Sequence, residues 1–467
     1  MLYVFRGFSG VANGGVASLS AMVVSDIVTL EDRGKWQGII GAFVGIGNMV
    51  GPFIAAAFVQ NSTWRGFFWA VSPFTVVCGF LCLWLLPKSK NRPKMDFQQE
   101  MKKVDFGGIF FAGAALIMIL IPVAGGGDYF DWDSPMVIGM LTAGGICLLA
   151  FIYIERSVAL LPMMPRTYPL MPVHIRKLTR IKTVSLFKNI PVAAMLLQNF
   201  LFGIVAHSQT YYLPLFFQNA QRRSPIQAAC LMLPLSAFQA TASILSGQYI
   251  SRRKRYGEVI WLGFFLWTIG AGLTCMFGAD TPIYTIAPIL GVTGIGIGMV
   301  FQPVLIAMQA HCLKSQRAVV ISNRNFIRSL GGAVGLAISA AVLQNSLYKA
   351  MPEEFRNTMS SFETPDFKKL GETEARMIVI AYATASRTVF YMNVPLIGVC
   401  FIACLLIKDR GLQRPDEVEV NGEKRREQRD SGSEQSNILE LVEVAEADKE
   451  SLGGRGRQEH RMSGVTL

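Results

Sequence analysis

Eleven runs of about 20 mostly apolar residues fill most of this 467-residue chain, and that feature restricts it to a fold made for lipid. They cover 2–24, 37–60, 66–86, 107–126, 135–154, 190–217, 226–250, 259–277, 283–310, 326–343 and 388–407. A hydrocarbon core of roughly 30 Å takes about 20 apolar residues per helix. Backbone inside lipid must satisfy its own hydrogen bonds, and the ten-residue alternation of barrel strands is absent, so each run is expected to be a helix. Only 16% of residues are charged, whereas soluble domains carry about 25%. The expected fold class is therefore all-α, a polytopic membrane helical bundle.

The placement of charge gives an orientation. The last 60 residues hold 11 Lys/Arg and 14 Asp/Glu, so the excess of bases, 33 against 18 acids, belongs to the apolar body. Loops after the odd-numbered runs carry 22 Lys/Arg and loops after the even-numbered runs carry nine. The positive-inside rule then places the C-terminal tail in the cytosol and the amino terminus outside. The tail from 408 onward is expected to be a disordered extension, and 94–104 an interfacial helix or a solvated linker. The sequon at Asn61 falls on the expected outer side.

Composition also excludes several classes of function. The eight cysteines lie almost wholly in apolar runs with no CxxC or zinc spacing, which argues against a metal or disulfide framework. Bases placed mostly in loops between apolar spans give no nucleic-acid surface. No Walker A, HExxH or GxSxG pattern occurs at a plausible site, so the chain is expected to be no enzyme and to bind no cofactor. The expected partners are the lipid bilayer and a small-molecule substrate, with the protein acting as a monomer.

Polar residues inside the apolar runs are the candidates for function. Arg6 stands near membrane depth, where a charge needs an interior or aqueous partner unless it snorkels to the interface. Gly47-x-x-x-Gly51 allows a second backbone to approach, and Pro52 bends that helix. In the turn SDIVTLEDRGKWQG, Asp26, Arg33 and Gly34 read either as part of a solvated loop or as a latch against another cytosolic loop. The GQYISRRKRYG segment (247–257) is a second basic turn, equally suited to anionic lipid. Gln198, Asn199, His207, Gln209, Tyr212, Gln239 and Gln302 either line a cavity or hold helices together by hydrogen bonds. His207 has the titration range of a switch, although a structurally satisfied histidine is the commoner case. No Asp or Glu stands at the centre of a run.

Several of these segments resemble the major facilitator superfamily, in particular the fungal fourteen-span drug:proton antiporter group. Arg6–Gly15 resembles its fourth-helix signature, and Gly47-x-x-x-Gly51-Pro52 its fifth-helix antiporter motif, with Ala55 and Ala56 replacing two glycines. WRGFFWAVSPF (64–74), GVTGIGIGMVFQPVLIAMQA (291–310) and FIRSLGGAVGLAISAAVLQN (326–345) are similar to later segments of that group. The resemblance implies proton-coupled export of drugs, toxins or metabolites, with Arg6 serving proton coupling and Gly47, Gly51 and Pro52 shaping a sealing helix. It implies residence in the plasma membrane; a vacuolar amino-acid transporter or a non-transporting scaffold are the alternatives. It further implies that 1–87 is the remainder of a first half lacking three helices. Residues 88–189 then form a linker with two extra helices, 190–407 a complete six-helix half, and 166–184 an insertion or translated intron.

Replacing Pro52 by Leu is expected to reduce export while the protein still reaches the membrane, measured as efflux per unit of membrane-localised protein.

Overall fold

The computed structural model describes residues 2–85, 105–126, 130–157, 190–312, 317–352, 371–407, 409, 411 and 412. The readings of 94–104, of 166–184 and of the tail beyond 412 fall outside these residues.

The described chain is helical, with one isolated bridge between Gly126 and Phe130. Its helices are α1 (Leu2–Ile27), α2 (Arg33–Asn61), α3 (Trp64–Leu85), α4 (Phe106–Gly125), α5 (Pro135–Ser157), α6 (Ile190–Asn219), α7 (Pro225–Leu231), α8 (Leu233–Arg253), α9 (Gly257–Thr274), α10 (Ile283–Phe301), α11 (Pro303–Ala310), α12 (Arg317–Ala350) and α13 (Glu372–Ala403). Counting α7–α8 and α10–α11 as one span each, 11 are long and apolar enough to cross a membrane.

Local sequence explains the boundaries. Ser224 and Gln227 form a reciprocal capping box ahead of α7, with Pro225 at the first helical position. Asp105 accepts the Gly108 N–H at 2.8 Å and starts α4. Proline also sets the two breaks. Pro234 follows the one at Met232, and Pro303 follows the one at Gln302. At the second break the Leu305 N–H turns to the Gln302 carbonyl at 3.0 Å, leaving the Phe301 carbonyl to a side chain.

Two helices run well past the apolar stretches that announced them. Apolarity alone marks 326–343 and 388–407, whereas α12 and α13 span 34 and 32 residues. Hydropathy falls at Asn323, Arg324 and Arg387, but a helix continues wherever such side chains find partners. Arg324 and Arg387 both donate to backbone carbonyls, of Phe301 and Phe277 respectively.

Two apolar cores hold α6–α13 together. One gathers Met195, Phe264, Trp267, Ile306 and Ile397, the other Phe216, Phe217, Phe277, Tyr382 and Phe390. Outside them, α4 packs on α5 and on α12, and α3 has no buried residue. The link between α2 and this body is a seam of small residues. Gly34, Gly38, Gly41 and Gly45 recur at three- and four-residue spacing on one face of α2 and are all buried. They meet Gly247, Ser243 and Ala240 of α8. A Cβ at Gly34 would lie 2.8 Å from the Gly247 carbonyl oxygen, and one at Gly38 2.6 Å from that of Ser243. Both obstacles are backbone, so no rotamer change could relieve them.

Gly38→Ala is expected to destabilise the full chain by about 1–3 kcal/mol through overpacking. Gly272→Ala, on α9 where an added Cβ meets nothing within 4 Å, is expected to be neutral or to stabilise by up to about 1 kcal/mol through helix propensity. Thermal unfolding of detergent-solubilised protein separates the two.

Candidate functional site

The turn between α1 and α2 is built around Arg33, whose side chain is 1% exposed. Its guanidinium donates to Gln309 Oε1 of α11 at 2.7 Å, to the Ser25 carbonyl at 2.7 Å and to the Val28 carbonyl at 3.3 Å. Gln309 in turn donates to Ser25 Oγ at 3.2 Å. Arg317, opening α12, donates to the same Ser25 carbonyl and pairs with Asp26 at 3.5 Å. Lys254 reaches Glu31 at 2.8 Å, and Ser251 donates to the Glu31 carbonyl. One end of the bundle is thus tied across by α1–α2 on one side and α8, α11 and α12 on the other. The buried Arg33 bonds matter most, since an exposed pair such as Lys254–Glu31 contributes little.

Asp26, Arg33 and Gly34, read from sequence as either part of a solvated loop or a latch, meet a distant part of the chain. Gly34 is held against α8, Arg33 against α11, and Asp26 against α12. Arg6, Gly47 and Gly51 behave differently. Arg6 is exposed, with its guanidinium carbon 5.9 Å from the centre of the Phe68 ring. An added Cβ at Gly47 or Gly51 meets nothing within 4 Å among the described residues, so the contacts of α2 run instead through its other glycine stripe. Pro52 lies inside α2.

The interior amides and phenols divide by their bonds. Gln198 donates to the Cys400 carbonyl at 2.8 Å, Gln209 accepts from Trp267 Nε1 at 3.1 Å, and Tyr212 donates to the Leu336 carbonyl at 3.2 Å. These three join neighbouring helices. Gln239 is buried where α8 crosses α10. His207 is exposed, and its Nδ1 lies 3.0 Å from the Gly203 carbonyl one turn away. Gln302 stands at the α10–α11 break, buried, with no partner for its Oε1.

Asn199 leads to a feature that the apolar-run reading passed over. Its Oδ1 accepts from Arg324 Nε at 3.1 Å. Arg324 is 3% exposed and also donates to Asn325 Oδ1 at 3.1 Å and to the freed Phe301 carbonyl. Arg328, one turn on, lies over the same Phe301 ring, 4.7 Å from its centre, with Arg324 at 5.2 Å. The helical spacing of the two arginines was visible in the sequence. Hydropathy nevertheless trimmed the span at Phe326, putting Arg324 outside it and Arg328 at its rim. Asn325 further donates to Ser18 Oγ of α1 at 3.3 Å, which ties this cluster to the first helix.

Among the described residues every Asp and Glu lies near a helix end or in a connection, and no ion pair reaches Arg324 or Arg328. No group of three or more His, Cys, Asp or Glu side chains able to hold a metal is present among them.

A family model described as "Major Facilitator Superfamily" matches residues 1–107 and 105–336. Citrate exporter 1 of Yarrowia lipolytica is 41% identical over 419 residues, covering 88% of this chain and 59% of that protein. The MFS-type transporter clz4 of Cochliobolus lunatus is 36% identical over 420 residues, covering 89% and 71%. Efflux pump FUS6 of Gibberella fujikuroi is 28% identical over 348 residues, covering 74% and 60%. The chain therefore spans little more than half the length of the citrate exporter it resembles. With eleven span-length apolar helices and a family match over most of its length, the chain is an integral multi-pass membrane protein and belongs to the major facilitator superfamily.

Proposed function

We propose that this chain forms the moving body of a secondary active transporter that exports small organic compounds by alternating access, driven by the proton gradient. The observation that carries the reading is the join between α1–α2 and α8–α12. It is made largely of small residues and hydrogen bonds, with a small apolar cluster of Ala21, Leu305 and Ile321 beside them. Alternating access requires two bodies that rock about a central site, and such a surface can part and re-form. In this reading the Arg33 end is cytosolic, and the Asp26, Arg33 and Gly34 contacts seal it while the site faces outward.

Arg6 supplies the cation for proton coupling, and Gly47, Gly51 and Pro52 shape the helix that moves against its partner. The protein works as a monomer in the plasma membrane, as a member of the drug:proton antiporter group. Relatives named as exporter and efflux pump support the outward direction. Compounds of those kinds, citrate among them, are the first substrates to test by whole-cell export.

Cys312, just past α11, reports on the seal. It is 3% exposed, and burial pushes its thiol up to about 12, so almost none is thiolate at neutral pH and alkylation is slow. Removing the latch with Arg33→Ala is expected to reduce export at least tenfold and to speed alkylation of Cys312 in a single-cysteine background. Unchanged export and labelling in that variant would remove the seal from the mechanism.

A further inference from the structure

We infer that the interior of this transporter binds its substrate as a small organic anion, and that Arg328 is the residue that meets the carboxylate. The inference rests on the export reading and names the substrate class of its central site.

Two guanidinium groups one turn apart on α12 share one face and one aromatic ring. Like charges this close in a low-dielectric interior repel, and burial adds a desolvation cost to each. A fold normally offsets such costs with carboxylates, but the described acids all lie near helix ends or in connections. What offsets the first charge is visible. Arg324 directs three donors at Asn199 Oδ1, Asn325 Oδ1 and the Phe301 carbonyl. That carbonyl is the C-terminal end of α10, where the helix dipole is negative. Arg324 is thereby a fixed, fully bonded cation.

Arg328 has no such set of partners. Its Nη1 is buried without a hydrogen-bond acceptor, and its guanidinium carbon lies 4.7 Å from the centre of the Phe301 ring. A planar fork of donors with an open nitrogen fits a carboxylate in two-point fashion. The positive field of Arg324 one turn below favours an anion there and disfavours a cation. The site also sits just beyond the Asn325–Ser18 bond that joins α12 to α1. On α1, an added Cβ at Gly14 or Gly15 meets nothing within 4 Å among the described residues. Amphipathic cations, a common expectation for a drug exporter, are therefore the wrong chemistry for this interior.

The test uses the full chain in lipid nanodiscs and equilibrium binding of radiolabelled citrate, with competition by succinate, inorganic phosphate and tetraphenylphosphonium. Saturable citrate binding is expected, displaced by succinate far better than by tetraphenylphosphonium and weakened at least tenfold in Arg328→Gln. Arg328→Lys is expected to recover part of the affinity, since it keeps the charge and loses the fork. Unfolding temperature and gel-filtration profile establish that both variants are folded. If phosphate displaces citrate as well as succinate does, the site is a general anion site and the carboxylate assignment is overturned. Wild-type affinity in folded Arg328→Gln, or equal competition by tetraphenylphosphonium, overturns the role of Arg328 or the anion class.

Binding is read without transport, so the two proposals fail separately. Arg328-dependent binding in a chain that exports nothing would sink the export reading alone. Export of tetraphenylphosphonium undiminished in Arg328→Gln would sink the anion class alone.

Discussion

A guanidinium taken out of water needs acceptors for its donors, and the Nη1 and Nη2 groups of Arg33 find theirs across the molecule. Leaving one buried and unpaired costs several kcal/mol, of order 3–5 when a partner is removed. Its acceptors come from Ser25 and Val28 near the end of α1 and from Gln309 on α11, 276 residues away in sequence. The position of α2 against the second group of helices is therefore tied to one side chain. The glycine stripe follows from it: once Arg33 brings that end of α2 in, only residues without a Cβ let the backbone continue along α8.

The same rule, applied deeper, produces a different outcome at Arg324 and Arg328. Arg324 is satisfied by two amides and by a carbonyl that Pro303 releases from its helix. The break in α10–α11 and the buried cation are thus two parts of one arrangement. Arg328 keeps an open donor over an aromatic ring. The family shares a fold, while individual side chains such as these decide what a member of it does.

The polar residues inside the apolar runs show how much a pattern can reveal. From sequence Gln198, Gln209 and Tyr212 could either line a cavity or hold helices together, and in the structure each ties one helix to another. An amide in a span has both roles open to it, and only the position of the neighbouring helix selects between them. Asp26, Arg33 and Gly34 were readable from sequence as either a solvated loop or a latch, since charged residues are common in loops between spans. Their partners were not, since Gln309 and Arg317 lie far along the chain. Gly47 and Gly51 show the reverse case: a clear packing motif whose face meets no neighbour among the described residues.

What the sequence determined by itself was the class of fold and the number of spans. Lipid admits few structures, and length and apolarity report on that constraint directly. Helix ends near charged residues were misplaced, because hydropathy measures transfer of a side chain into lipid and is silent about a partner waiting inside. The pairing of Arg33 with Gln309, the freed carbonyl under Arg324 and the open donor of Arg328 were decided only by tertiary structure. Each depends on which atoms from helices distant in sequence do or do not arrive within about 3 Å of one another, and hydrogen bonds act only over that range.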